Sequence, residues 1–163
     1  MTARDAQASA DPQFIGRWSP RAFNGTALTH EQVMALIEAA RWAPSCFNSQ
    51  PWRFVYATKD SEHWPAMLKL LMDMNQAWAQ HAGALIAVVS RNTFQGNDAP
   101  APTHSFDTGA AWMSMALQAQ AMGLVSHAMW GIEHHDIPKA LNLPDNMQIQ
   151  AMVAVGAVGN KAG

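Results

Sequence analysis

The stretch at residues 43–54 reads Ala-Pro-Ser-Cys-Phe-Asn-Ser-Gln-Pro-Trp-Arg-Phe. Pro44 predicts the end of a preceding helix, and Pro51 stiffens the entry to a following strand. Between the two prolines lie six residues that are rich in hydrogen-bonding groups. On composition alone, the simplest interpretation is a helix-to-strand connection whose Ser and Asn side chains satisfy their own backbone. Whether the loop also has a function depends on the rest of the chain.

The composition is unusually apolar. The chain has 163 residues, which indicates one domain with a sizeable core. Hydrophobic residues make up 49% and charged residues only 13%, whereas about a quarter of residues are charged in an average soluble protein. The sequence also contains 11 Met and 7 Trp. Either the core is large relative to the surface, or a partner covers part of the apolar surface; the second interpretation is favoured, so an oligomer is expected.

Charge and cysteine usage exclude several classes of function. The formal net charge is −2, and without a basic run no nucleic-acid partner is expected. The single Cys46 excludes an internal disulfide and is compatible with a reducing compartment. No apolar run is long enough to cross a membrane, and the N-terminus lacks the apolar segment of a secretory signal. A cytoplasmic location is therefore expected.

Periodicity predicts alternating helices and strands. Thr29 and Gln32 form a capping-box pattern, which opens a helix that should run to about Trp42. The apolar run Ala84–Ser90 predicts a central strand buried on both faces. Two helical pieces are predicted before the central strand: a helix capped by Ser61 and continuing to Met74 and, after a change of pattern around residues 73–76, a further piece that includes Trp78 and Ala82. The other predicted elements are a strand over Arg53–Thr58, a loop over Arg91–Thr103, a helix over His104–Met122 that is apolar on nearly every face, a strand over Val125–Trp130, a short helix over His134–Leu143 and a last strand over Ile149–Val158. This alternation indicates one layered domain of mixed class.

Two arginines near the N-terminus suggest an anion site. Arg17 and Arg21 lie four residues apart, with Ser19 midway. In an extended segment all three side chains point to one side, and in a helical turn the two arginines are neighbours. The planar guanidinium donates two parallel hydrogen bonds, a geometry that suits phosphate. Taken alone, the segment favours the alternative of an exposed basic turn whose bend is fixed by Pro20.

Other polar residues have simpler interpretations. His127, His134 and His135 lack further ligands at metal-binding spacing beyond Glu133 and Asp136, so a surface or loop role is favoured for the histidine pair and no metal is expected. Asn75 is most simply a local backbone hydrogen-bond former. Cys46 is expected to pack as a small residue, and Ser45 lacks the G-x-S-x-G frame of a hydrolase nucleophile.

Four groups of residues resemble motifs of the nitroreductase family of flavoproteins. They are Arg17–Phe23, which is similar to the family's R-x-S-x-R-x-F start; residues 43–52, which are similar to its A-P-S-x-x-N-x-Q-P-W segment; Asn75 with Trp78 and Ala82 before an apolar strand; and Asp107-Thr108-Gly109 followed by Met122-Gly123-Leu124 and Trp130-Gly131. The likeness spans roughly residues 14–159. Because the motifs occur in the expected order and spacing, the chain is identified as a member of this family.

The resemblance implies an α+β fold. The expected architecture is a nitroreductase-like three-layer α-β-α sandwich with a central mixed or antiparallel sheet and a buried helix rich in Ala and Met. Residues 1–13 are expected to form a flexible arm, and residues 14–163 a single flavin-binding domain. The resemblance further implies a homodimer with two FMN sites at the subunit interface. Family members usually carry another basic residue for the phosphate beyond the last strand, and Lys161, the only late basic residue, has no clear match.

The same resemblance assigns roles by matched position. The implied FMN-binding residues are Arg17, Trp18, Ser19, Arg21, Pro44, Ser45, Asn48, Asn75, Trp130 and Gly131. The first four hold the phosphate, with the tryptophan acting through its backbone. The next three reach the flavin from the other subunit. The asparagine at position 75 meets the ribityl chain and the flavin edge. The last two bring backbone N–H groups to the pyrimidine edge and N5.

The implied reaction belongs to the cofactor. NAD(P)H delivers hydride to FMN, leaves, and is replaced by a small-molecule electron acceptor such as a nitroaromatic or a quinone. This ping-pong scheme needs no protein acid or base, so no catalytic side chain is named. Two alternatives remain open: a flavin enzyme of the same fold with a different reaction, such as a dehydrogenase or dehalogenase, and a non-enzymatic or weakened flavin-binding dimer.

Overall fold

The computed structural model describes Arg4 and residues 6–160, so Lys161 lies outside the described residues. The elements are α1 (Pro12–Gly16), α2 (His30–Arg41), a 3₁₀ turn (Cys46–Asn48), β1 (Trp52–Thr58), α3 (Trp64–Leu68), α4 (Asp73–Ala79), β2 (Ala84–Arg91), α5 (His104–Ala121), β3 (Val125–Met129), α6 (Ile137–Ala140) and β4 (Met147–Gly156). None of the helices in this part of the chain combines the length and apolar character needed to cross a membrane.

The four strands form one antiparallel sheet in the order β1-β2-β4-β3. β2 is therefore an interior strand, paired with β1 on one side and β4 on the other. Every residue of β2 from Ala84 to Ser90 is buried, which confirms the predicted central strand. β4, the last strand along the described chain, is also interior, because it lies between β2 and β3.

Helices cover both faces of the sheet. Along β2, Leu85, Ala87 and Val89 pack in one hydrophobic cluster, whereas Ala84, Ile86 and Val88 pack in a second cluster. This alternation follows the period of two that places successive strand residues on opposite faces. The first cluster includes buried side chains of α3, α4 and α6, and the second includes those of α2 and α5. The predicted three-layer α-β-α sandwich is confirmed.

The helix predicted at the capping box is present as α2. The Thr29 side chain accepts a hydrogen bond from the Gln32 N–H at 3.2 Å, and the Gln32 side chain accepts one from the Thr29 N–H at 2.9 Å. Val33, Leu36 and Ala40 form the buried face of the helix. The local signals at residues 29–42 thus determine both the start of α2 and the face that it buries.

The prediction of one helix from Ser61 to Met74 is wrong. The Ser61 hydroxyl donates to the Thr58 carbonyl at 2.7 Å instead of capping a helix, and α3 begins only at Trp64. The chain leaves the helix after Leu68 because Leu71 forms an isolated antiparallel bridge with Ile132. A second helix, α4, begins at Asp73 and ends at Ala79, so the predicted further helical piece is present with Trp78 inside it, while Ala82 lies beyond its end.

Several predicted boundaries also shift. β4 runs from Met147 to Gly156, two residues earlier at each end than predicted, and α6 spans only Ile137–Ala140. The helix predicted over residues 104–122 is present as α5, but it is not buried on every face. Its buried residues are Asp107, Thr108, Ala111, Met115, Ala116 and Ala119. The Phe106 side chain is 81% exposed, so the other side of α5 is left uncovered by this chain.

Candidate functional site

The arginine segment follows α1 in an extended conformation. Arg17 caps α1 with φ −68° and ψ 130°, which turns the chain out of the helix. The Arg17 Nη1 group donates to the Ser19 Oγ atom at 3.3 Å, so these two side chains lie on the same side, as expected for extended backbone. Ser19 and Arg21 are exposed, and Trp18 is half-buried. The segment therefore presents a hydroxyl and two guanidinium groups close to solvent.

His127 of β3 connects this segment to the sheet through a hydrogen bond. Its Nδ1 atom donates to the Pro20 carbonyl at 3.1 Å, because a carbonyl oxygen can only accept. The His127 ring lies against Trp78 of α4, with 4.8 Å between ring centroids. Trp78 in turn stacks on Phe23 at 6.2 Å. The segment, β3 and α4 therefore form one packed unit.

Asn75 makes a long-range contact, and the prediction of a local backbone role is wrong. Its Nδ2 group donates to the Gly131 carbonyl at 2.9 Å, across 56 residues of sequence. The Met72 N–H donates to the same carbonyl at 3.1 Å. The physical reason is the break before α4, which lays the first turn of that helix alongside the chain after β3. A Cβ atom at Gly131 would lie only 2.6 Å from Asn75 Nδ2.

The residues after β3 leave groups open to a ligand. Trp130 is 64% exposed, and its ring lies 4.2 Å from the His134 ring by centroid. The His134 Nε2 atom donates to the Trp130 carbonyl at 3.1 Å. Among the described residues, no acceptor takes the Gly131 N–H. This N–H is a ready hydrogen-bond donor beside Asn75.

These contacts bring together the segments that carry seven of the ten predicted site residues. Trp78 lies three residues after Asn75, so the two side chains share one face of α4. Through Trp78 and His127 that face reaches the segment Arg17–Arg21, and through Asn75 it reaches Gly131. The sequence placed these residues far apart, and α4 brings them together.

The loop at residues 43–54 has a well-defined local structure. The Ser45 Oγ atom accepts from the Gln50 N–H at 3.0 Å, and the Asn48 Oδ1 atom accepts from the Gln50 side chain at 3.0 Å. Phe47, Asn48 and Gln50 all have positive φ, at 51°, 53° and 46°. Left-handed conformations cost non-glycine residues of order 1–3 kcal/mol, so the surrounding contacts must hold the loop in this shape.

Asp107 is the main anchor of that loop. It is only 5% exposed, and its Oδ2 atom accepts from the Cys46 N–H at 3.1 Å and from the Thr103 hydroxyl at 3.0 Å. No site role was predicted for Asp107, although an acidic residue in a helix that buries mostly apolar residues is a signal that could have identified it. Phe47, at the tip of the loop, is 90% exposed.

The structure does not bring the loop to the other seven residues within one chain. Between Pro44, Ser45 or Asn48 and the unit around α4, the described residues form no hydrogen bond and no aromatic contact. Instead the Phe47 ring packs edge-on against Phe94, with 5.9 Å between centroids. A shallow pocket of about 640 Å³ lies between this loop and the loop after β2. One chain thus carries two separate groups of predicted site residues.

The part of the chain that the structure describes contains no set of side chains suited to bind a metal ion. No group of three or more His, Cys, Asp or Glu side chains there could hold a metal ion. His127 and His134 each donate to a backbone carbonyl. The polar groups available at the site are therefore guanidinium, hydroxyl, amide and backbone N–H, a set that suits a phosphate and a hydrogen-bonding ring.

The chain belongs to the nitroreductase family, whose family model matches residues 15–77 and 63–157. The match covers both the arginine segment and the Asn75–Gly131 contact. The family and the fold class expected from the sequence motifs are confirmed.

Solved and curated relatives agree with this assignment. A crystal structure described as an oxidoreductase containing FMN superposes with a TM-score of 0.93 at 46% identity, covering 96% of this chain and 81% of that one. A protein of Archaeoglobus fulgidus, provisionally named NADH dehydrogenase/NAD(P)H nitroreductase, is 26% identical over 144 residues, which are 86% of this chain and 80% of the relative.

A third relative matches over a shorter stretch. An uncharacterized 15.4 kDa protein of Mycolicibacterium smegmatis is 31% identical over 93 residues, which are 56% of this chain and 60% of that relative. The chain thus spans less than two thirds of the length of this curated relative.

Proposed function

We propose that this protein is an FMN-dependent oxidoreductase that takes electrons from NAD(P)H and passes them to a small-molecule acceptor such as a nitroaromatic or a quinone. The observation that carries the proposal is the unit around α4, which joins the paired Arg17 and Ser19 side chains to Asn75 and the open N–H of Gly131. The 46% identical structure described as an FMN-containing oxidoreductase supports this assignment.

The donor set fits FMN. Arg17, Ser19 and Arg21 would hold the phosphate, with Trp18 alongside, because guanidinium groups and a hydroxyl supply charge-assisted hydrogen bonds to its oxygens. Asn75 uses its Nδ2 group on Gly131, and no donor among the described residues reaches its Oδ1 atom, which leaves that atom for a ribityl hydroxyl. FMN, when bound, supplies the redox chemistry by accepting hydride and passing it on.

The chain's own residues orient the cofactor and stabilise charge. Preorganised N–H donors stabilise negative charge better than water does, because they need no reorganisation when the charge develops. The Gly131 N–H, next to Trp130, would play this part at the pyrimidine edge and N5 of the ring. This N–H shares a rigid peptide group with the Trp130 carbonyl, which accepts from His134 Nε2 and from the Ile132 N–H, so these two hydrogen bonds fix its direction.

The second group of residues implies a homodimer. Pro44, Ser45 and Asn48 would reach the flavin of the partner subunit, because within one chain they lie away from the α4 unit. Asp107 holds their loop in shape through the Cys46 N–H. The exposed Phe47 and Phe106 side chains provide apolar surface for such an interface.

Purification with bound flavin is the first test. The protein should purify yellow, or take up FMN, at one FMN per chain. Under anaerobic conditions, NADH or NADPH should bleach the bound flavin, and a quinone or nitroaromatic should restore its colour. A protein that stays colourless with added FMN excludes the flavin site, and a bound flavin that neither nucleotide bleaches leaves only a flavin-binding protein.

The double variant Arg17→Ala with Arg21→Ala tests the phosphate site. Loss of two charge-assisted contacts should cost about 3 kcal/mol of FMN binding free energy, which is about a 100-fold rise in Kd. Fluorescence titration of the apoprotein measures this change. The matched control, Lys69→Ala with Lys139→Ala, removes two positive charges from exposed positions elsewhere and should leave the Kd unchanged. An equal Kd for the arginine variant and the wild type would place the phosphate elsewhere.

A further inference from the structure

We propose that His127 is a positioning residue of the phosphate site: its hydrogen bond to the Pro20 carbonyl sets the direction in which Arg21 faces the phosphate. This inference rests on the proposed function, since it assumes that the arginine segment binds the phosphate of FMN. Nothing in the family motifs singles out His127. The contact that carries the inference spans 107 residues of sequence.

The bond acts at the centre of the binding segment. Pro20 has no N–H group, so its carbonyl is its one backbone hydrogen-bonding group. Among the described residues that carbonyl accepts only from His127 Nδ1, at 3.1 Å. Pro20 lies between Ser19 and Arg21 and is itself buried. The carbonyl belongs to the peptide group that joins Pro20 to Arg21, so rotation of that group would turn the Arg21 side chain.

The His127 ring is held firmly enough to serve as an anchor. The ring packs on Trp78 with 4.8 Å between centroids and an angle of 42° between the ring planes. Trp78 in turn stacks on Phe23, and the planes of these two rings differ by 14°. Trp78 also shares a helix face with Asn75. Trp78, which supports the His127 ring, and Asn75, which contacts Gly131, thus lie on the same helix, so α4 links the two ends of the proposed FMN site.

The other end of the segment is held by a different residue. Arg4 Nη1 donates to the Arg17 carbonyl at 2.8 Å and to the Ile15 carbonyl at 3.3 Å. These bonds precede Ser19 in the chain, so they constrain the first half of the segment. Loss of the His127 bond should therefore loosen the part that carries Arg21, while Arg17 and its hydrogen-bonded partner Ser19 keep their place.

A positioning role and a purely structural role of His127 differ in their effect on ligand binding. Riboflavin has the same ring and ribityl chain as FMN but no phosphate. A residue that positions the phosphate contacts should affect FMN affinity and leave riboflavin affinity unchanged. A residue that only supports the fold should weaken both ligands alike.

The experiment compares FMN and riboflavin binding to apoprotein variants by fluorescence titration. His127→Phe keeps an aromatic ring against Trp78 and removes the donor. We expect its Kd for FMN to rise about fivefold to tenfold, as for the loss of one neutral hydrogen bond, with the Kd for riboflavin within about twofold. His127→Asn, whose Nδ2 group stands close to the position of the ring Nδ1, should restore most of the FMN preference. His135→Phe, at an exposed histidine, is the matched control and should match the wild type.

Two outcomes overturn the inference. One is an equal loss of FMN and riboflavin binding in His127→Phe, and the other is an FMN Kd in His127→Phe equal to that of the wild type. If the wild type itself shows no preference for FMN over riboflavin, the phosphate site of the proposed function fails as well. Thermal unfolding of each apoprotein checks folding, and His127→Leu is measured if the Phe variant does not fold.

Discussion

Residues of the candidate site make hydrogen bonds to residues that are distant in the sequence. Asn75 reaches Gly131 across 56 residues, and His127 reaches Pro20 across 107. The sequence motifs identified Asn75 and Gly131 as site residues, because each occurs in a recognisable segment. They could not reveal the pairing, because a hydrogen bond between distant residues leaves no periodic or local signal. The contact between His127 and Pro20 could not be predicted for the same reason.

Gly131→Ala is expected to weaken FMN binding at this pair. The new Cβ atom would lie 2.6 Å from Asn75 Nδ2, so the amide must move and its hydrogen bond to the Gly131 carbonyl is strained or lost. One such bond contributes about 1 kcal/mol, which predicts a rise in the FMN Kd of about fivefold. Titration of the apoprotein with FMN measures the change.

Gly109→Ala is the matched control for this substitution. A Cβ atom at Gly109 would meet nothing within 4 Å, and Gly109 lies inside α5. An exposed helical Gly→Ala change should stabilise the fold by up to about 1 kcal/mol. FMN affinity equal to that of the wild type in Gly131→Ala would show that the Asn75 contact does not shape the site.

Secondary-structure elements with local signals were predictable from the sequence. α2 has a capping box and a regular apolar face, and β2 is a continuous apolar run. The region between Ser61 and Met74 was not predictable, because its apolar residues fit one helix locally. The bridge between Leu71 and Ile132 breaks that helix, and the break positions α4 for the site. A long-range contact thus overrides the local pattern where the site is built.

Thr29→Ala is expected to destabilise α2. The substitution removes the acceptor of the Gln32 N–H, and loss of an N-cap typically costs about 1 kcal/mol. For a chain of this size the melting temperature should fall by about 2–4 °C. Thr29→Ser keeps a hydroxyl acceptor and should stay close to the wild type in the same calorimetric scan. A drop of equal size in both variants would point to lost packing of the Thr29 methyl group instead of lost capping.

At the scale of the whole molecule, the apolar composition has a structural counterpart. Several large apolar side chains stand exposed on the single chain: Trp42, Phe47, Met74, Phe106 and Trp130. The sequence indicated covered apolar surface from composition alone, but it could not show where that surface lies. The structure places part of it at the 3₁₀ turn and at the start of α5, next to the Asp107 anchor of the loop.

Phe106→Glu is expected to weaken the proposed dimer. The Phe106 side chain is 81% exposed on one chain, and a charge placed in an apolar interface is costly unless it is paired. Light scattering after size exclusion should give twice the chain mass of 17.8 kDa for the wild type and a concentration-dependent shift to monomer for Phe106→Glu. The control Ala140→Glu adds the same charge at an exposed position of α6. A wild type that runs as a monomer with full FMN binding would contradict the shared site.

The strand order β1-β2-β4-β3 has a consequence for how the molecule is made. β4 lies in the interior of the sheet although it follows all the other described strands along the chain. Until residues 147–156 leave the ribosome, one edge of β2 has no partner, and Ala84–Ser90 is apolar on both faces. Sheets closed by such distant pairings form slowly, on the order of milliseconds to seconds. During synthesis the chain therefore exposes an unpaired, apolar strand edge that can pair with another chain. Refolding yield should accordingly fall as protein concentration rises, because aggregation competes with folding.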